Sequence, residues 1–142
     1  MAGILTVKDV MTKDVKKVGR DTNMQAVINM MNEFEISSIV IIQNDKPVGI
    51  VTHKDILLEI VKQNFAPIAI TAQHVMSAPL TIIDENASLE EAAKLMTEKK
   101  IKKLPVVKNE KLVGIITSMD IVREQPNLIG LLEDICSLSA KK

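Results

Sequence analysis

The sequence predicts an α+β fold built from two similar units in tandem, and three observations predict it. First, Gly49-Ile50-Val51-Thr52-His53-Lys54-Asp55 returns as Gly114-Ile115-Ile116-Thr117-Ser118-Met119-Asp120, and Val10-Met11 returns as Val75-Met76. Both pairs sit at the same offset, about 65 residues, with no gap needed. Second, each unit holds one stretch with apolar residues at helical spacing. Third, each such stretch is followed by two apolar runs joined by turn residues. Each unit therefore reads as strand, helix, strand, strand, helix.

The first repeat spans residues 7–64 and the second 72–126, joined by a linker from about Asn64 to Gln73 that contains Pro67. In the first, Met24, Val27, Ile28 and Met31 fall on one helix face, with Thr22 or Asn23 as cap. Leu89, Ala92, Ala93 and Met96 do the same in the second, where Ser88 and Glu91 form a capping box. Ser38-Ile39-Val40-Ile41-Ile42 reads as a strand buried on both faces, and Lys103-Leu104-Pro105-Val106-Val107 is its counterpart. Pro105 lacks a ladder donor, so it is expected at the strand's start or on an edge. Asn44-Asp45 and Asn109-Glu110 turn each chain into a second strand ending at Val51 or Ile116. Helices follow from about Thr52 and about Thr117, the second ended by Pro126. Beyond it, residues 127–142 carry the stripe Leu128, Leu131, Leu132, Ile135 and Leu138, expected as a tail helix on its own module or as a seam for a second subunit.

Composition removes several function classes. Apolar residues are 46% of the chain, but Phe34 and Phe65 are its only aromatics, so the core is aliphatic and no rings are available to stack bases. Met24, Met30, Met31 and Met96 are core fillers. Eighteen basic and 18 acidic residues leave no net field for nucleic acid or an anionic membrane. Cys136 stands alone, which excludes an intrachain disulfide and a thiolate metal site and fits a reducing cytoplasm. Met1 to Thr6 has no signal-peptide pattern, and no apolar run approaches the ~18 residues of a membrane span. His53 and His74 are the only histidines, with no triad order, no Gly-rich phosphate loop and too few ligands for zinc. An enzyme is therefore not expected.

The repeated Gly-apolar-apolar-Thr-x-x-Asp segment carries what chemistry there is. Thr starts a helix and Asp sits on its first turn, which is also a plain capping pattern. A helix start offers N–H groups and a positive dipole end to a phosphate. The Thr hydroxyl can donate to a phosphate oxygen. The Asp carboxylate can accept two hydrogen bonds from a vicinal diol such as that of ribose.

At these residues the chain resembles the CBS domain pair, the regulatory repeat named after cystathionine β-synthase. The resemblance runs from about Val7 to Gln125. It rests on both Val-Met elements, the Ala/Met helix face, Ile101-Lys102-Lys103-Leu104-Pro105-Val106-Val107 and both Gly-x-x-Thr-x-x-Asp segments.

The resemblance implies two β-α-β-β-α repeats packed through their sheets with pseudo-twofold symmetry, and two clefts for adenosine-containing ligands: AMP, ADP, ATP or S-adenosylmethionine. By position, one cleft would use Thr117, Met119 and Asp120 with Lys102 and Lys103 toward phosphates, framed by Lys13, Val15, Val18, Ile36 and Ser37. The other would use Ser38, Thr52, Lys54 and Asp55, framed by Ala78, Leu80, Ile83 and Ile101. Ser37 and Ser38 stand where the second repeat has Lys102 and Lys103, so the Asp120 cleft is expected to prefer a phosphorylated ligand. No cofactor is required and no metal is expected; the ligand is regulatory. Two chains would associate into a homodimeric disk that acts on an effector protein. The rival readings are a protein-interaction scaffold with silent clefts, in which the Thr and Asp residues are caps, and a nucleic-acid-binding module, disfavoured by charge and composition.

Overall fold

Amphipathic stripes, caps and turn residues place the elements of a computed structural model that describes residues 4–62, 66–78 and 80–133. In chain order these are α1 (Val7–Val10), β1 (Lys17–Gly19), α2 (Met24–Phe34), β2 (Ser38–Gln43), β3 (Lys46–Thr52), α3 (His53–Val61), α4 (Ala72–Val75), β4 (Ile83–Asp84), α5 (Leu89–Lys99), β5 (Lys103–Lys108), β6 (Lys111–Thr117) and α6 (Ser118–Glu124). Asn23 is the cap of α2: its side chain accepts from the Ala26 amide. Ser88 and Glu91 close the expected capping box on α5. Both helices end on a left-handed residue, Glu35 and Lys100. Both hairpins turn through two left-handed residues, Asn44-Asp45 and Asn109-Glu110. That is the turn whose twist matches the flanking strands.

The order within each sheet is β1-β2-β3 and β4-β5-β6, the first pair parallel and the second antiparallel. α2 lays Met24, Val27 and Met31 against Ile39, Ile41 and Val51. α5 lays Leu89, Ala92, Ala93 and Met96 against Leu104, Val106 and Ile116. The helix stripes read from the sequence are thus the two cores.

The compact units of the fold are not the two sequence repeats. One unit holds the residues up to Asp14 together with those from Thr81, and the other is Val15–Leu80. In the first, the Val7 amide donates to the Ala87 carbonyl at 2.8 Å, and the Lys8 amide to Glu85 at 2.9 Å. In the second, the Met24 amide donates to Ile70 and the Ala72 amide to Thr22, both at 2.7 Å. The opening segment of the chain therefore completes the second repeat's unit, and the linker segment completes the first's. Each Val-Met pair carries its methionine onto a motif glycine within its unit, Met11 onto Gly114 and Met76 onto Gly49.

Pro105 lies inside β5, the central strand, rather than at its start or on an edge. Its counterpart Val40 donates its amide to the Lys16 carbonyl on the β1 side of the sheet. Proline cannot make that bond. Pairing with β1 reaches Val40, whereas β4 pairs only with Val106 and Val107. The missing donor is accommodated by a parallel neighbour one residue shorter.

From Pro126 to Glu133 the chain packs on its own unit: Leu128 and Leu132 are buried with Ala93, Met96 and Ile121, and the Thr97 hydroxyl donates to the Leu131 carbonyl. Ile135 and Leu138 of the predicted stripe lie outside the described residues. The counterpart face of the other unit, between α2 and α3, is an open groove of about 720 Å³ lined by Ile28, Met31, Ile36, Ile56 and Leu57 among others. Beside it Leu58, Ile60 and Val61 of α3 are exposed. Among the described residues no helix is long and apolar enough to cross a membrane.

Candidate functional site

Each motif sits where a buried strand ends in a helix. β3 delivers Thr52 to the cap of α3, and β6 delivers Thr117 to the cap of α6. In the Val15–Leu80 unit the Thr52 amide donates to Asp55 Oδ2 at 2.8 Å and the Thr52 hydroxyl to the same oxygen at 3.0 Å. The Asp55 amide returns a bond to Thr52 Oγ1 at 3.3 Å. In the other unit the Thr117 amide donates to Asp120 Oδ2 at 2.9 Å, and the Asp120 amide to Thr117 Oγ1 at 3.2 Å. Both motifs are therefore complete capping boxes. Capping and binding are compatible, because the box uses Oδ2 and leaves Oδ1 for other donors.

The second oxygens differ. Asp55 Oδ1 accepts from the Ser77 hydroxyl at 2.8 Å. Asp120 Oδ1 faces Arg123 Nη1 at 3.4 Å, from a guanidinium side chain that is 68% exposed. Sequence reasoning missed Ser77 and Arg123. A signal for Ser77 was present: a hydroxyl residue follows Met in both copies, Thr12 and Ser77.

The helix starts are less open than the sequence suggests. The Ser118 amide donates to the Lys102 carbonyl at 2.9 Å, and the His53 amide to the Ser37 carbonyl at 3.3 Å. With the third amide of each helix held by its Thr hydroxyl, a phosphate here would depend mainly on side chains.

Those side chains are gathered by strand register. Lys103 pairs across the sheet with Thr117, and Ser38 with Thr52. Burial pushes the Lys103 ammonium below its usual range, and the neighbouring Lys102 charge adds to this. Met119 and Lys54, one residue into each helix, are exposed, as is Lys13. Of the expected wall residues, Val15, Val18, Ile36, Leu80 and Ile101 are half-buried, Ala78 is exposed and Ile83 is buried. Lys13, Ile83 and Ile101 belong to the unit of Asp120; Val15, Val18, Ile36, Ser37, Ala78 and Leu80 belong to that of Asp55.

His74 is exposed and lies 3.7 Å from the buried carboxylate of Glu59, which Lys62 also meets at 3.0 Å. His53 opens α3 and lines the groove.

Comparison with known proteins decides the family: the sequence model of the CBS domain matches residues 7–62 and again 72–127. The chain belongs to the CBS domain family. It is 40% identical over 138 residues to the uncharacterized protein MJ0653 of Methanocaldococcus jannaschii, covering 97% of this chain and 71% of that one. The CBS fold is shared with Hypoxic Response Protein I, solved with two coordinated zinc ions, at a TM-score of 0.77 and 30% identity, covering 85% of this chain and 99% of that one. Hypoxic response protein 1 of Mycobacterium tuberculosis is 30% identical over 135 residues, covering 93% of this chain and 94% of the relative. The CBS pair of protein MJ0100, solved with 5′-methylthioadenosine and S-adenosylmethionine, matches at a TM-score of 0.76 and 24% identity, covering 88% and 98%. Among the described residues of this CBS pair, no group of three His, Cys, Asp or Glu side chains could hold a metal ion.

Proposed function

We propose that this CBS pair is a regulatory module of the cytoplasm that binds an adenosine-containing ligand and signals to an effector protein. The observation that carries the reading is the duplicated Thr-Asp box. Twice, a helix start offers a hydroxyl and a carboxylate with an oxygen beyond those the cap consumes. A diol can take that oxygen, and the adenosine compounds bound by the MJ0100 pair carry ribose. Ligand contacts that differ between two packings of the module would shift their populations.

Thermal unfolding with AMP, ADP, ATP, S-adenosylmethionine and adenosine, with GMP as control, tests this. At 100 times its dissociation constant a ligand adds ~2.7 kcal/mol, which raises the midpoint by about 8 °C for a chain of this size. A selective shift is expected. A flat panel from folded protein free of co-purified ligand would overturn the reading.

The specific observation behind the second reading, an interaction scaffold, is the open groove with Leu57, Leu58, Ile60 and Val61 exposed on α3. Association of two chains joins the two readings, since a regulatory pair and a scaffold would both use such a face. Light scattering is expected to give twice 15.7 kDa. A single-chain mass at every accessible concentration would remove the dimer.

A further inference from the structure

We propose that Ser77 sets the order in which the two motifs fill, by holding the Asp55 oxygen that a ligand diol needs. The proposal rests on the adenosine reading above.

Asp55 accepts from the Thr52 amide and hydroxyl on Oδ2, and from the Ser77 hydroxyl on Oδ1 at 2.8 Å. Ser77 is well placed to hold that oxygen. Its amide donates to the Ile50 carbonyl at 2.9 Å, and its carbonyl accepts from the Ile50 amide at 3.3 Å. Met76, just before it, is seated against Gly49. The backbone is thus fixed from both sides, and only one side-chain torsion is lost when the hydroxyl meets the carboxylate. A short, charge-assisted bond from a preorganised donor is a strong competitor.

Asp120 meets a weaker one. Arg123 reaches Oδ1 at 3.4 Å from an exposed, many-jointed side chain, and such surface pairs contribute little. A ligand hydroxyl replaces that contact at small cost. At Asp55 it must first turn the Ser77 hydroxyl away, a rotation that needs no backbone movement because Ser77 is exposed. The Asp120 copy therefore fills first, and the Asp55 copy responds only at higher ligand concentration.

Calorimetric titration with adenosine tests this in an Asp120→Ala background, where only the Asp55 copy reports. Adding Ser77→Ala is expected to tighten adenosine about fivefold, the scale of one net hydrogen bond to a charged group in contact with solvent. Ser77→Thr, which keeps the hydroxyl, is expected to restore the parental affinity. If adenosine binds the unaltered chain and Ser77→Ala leaves its affinity in that background unchanged, absent or weaker, the ordering role is wrong while the adenosine reading stands. If the unaltered chain binds none of the panel, both fall.

Discussion

Gly114→Ala is expected to destabilise the fold by about 3 kcal/mol, lowering the thermal midpoint by roughly 10 °C, and to cost more than the same change at Gly49. A Cβ on Gly114 would lie 2.3 Å from Met11 Sδ, 2.9 Å from Met11 Cγ and 2.9 Å from the Thr12 carbonyl oxygen. A Cβ on Gly49 would meet only the Met76 side chain at its nearest points, at 2.3, 2.8 and 3.1 Å. A methionine can swing aside because its thioether is unbranched and rotates freely. The Thr12 carbonyl cannot, because it accepts from the Ile115 amide at 3.0 Å while the Thr12 amide donates to Ile115 at 2.9 Å. Urea unfolding of paired variants separates the two causes. Met76→Ala should relieve most of the Gly49→Ala clash, while Met11→Ala should relieve only part of the Gly114→Ala clash. Equal costs at the two glycines, or full relief at both, would contradict the packing described.

In an Asp55→Ala background, where only the Asp120 copy reports, Asp120→Ala is expected to weaken AMP and adenosine alike, by about 100-fold, as two hydrogen bonds to a charged acceptor are lost. Stability should fall by only about 1 kcal/mol, because Thr117 keeps its own bond to the helix and the variant loses one half of the capping box. Lys103→Ala should divide the two ligands. Its ammonium is half-buried, and burial and Lys102 already disfavour its charge, so a phosphate beside it would relieve that penalty. AMP is expected to lose about tenfold and adenosine almost nothing. Calorimetric titration of both ligands into both variants reads this directly. Asp120→Ala protein that is folded and binds within threefold of the parent would make the motif a cap and nothing more.

Much of this was legible in the residues because the duplication supplies its own control. Leu89-Ala92-Ala93-Met96 and, of the other stripe, Met24, Val27 and Met31 are buried as their spacing requires, while Ile28 is half-buried at the groove, and the turn and cap residues act where periodicity breaks. What could not be read is which copy each Val-Met pair serves. An exact offset leaves Met11 equally in register with Gly49 and with Gly114, and only tertiary packing chooses Gly114. Pro105 was misplaced because proline argues against a central strand in general, whereas here the short neighbour β4 leaves its nitrogen unneeded. Ser77 escaped notice because its partner Asp55 is remote in sequence and looks fully explained as a cap.

If chains associate as proposed, the filled and open helix faces would set the valency. Gene duplication would ordinarily leave two equivalent sticky faces, and a molecule with two can grow without limit into filaments. Here Leu128 and Leu132 close one face with the chain's own tail, while among the described residues the counterpart groove stays open. A single self-complementary face allows association to stop at a pair. The tail is then a cover as much as a core element, and cutting the polypeptide at Gln125 would uncover a second apolar face.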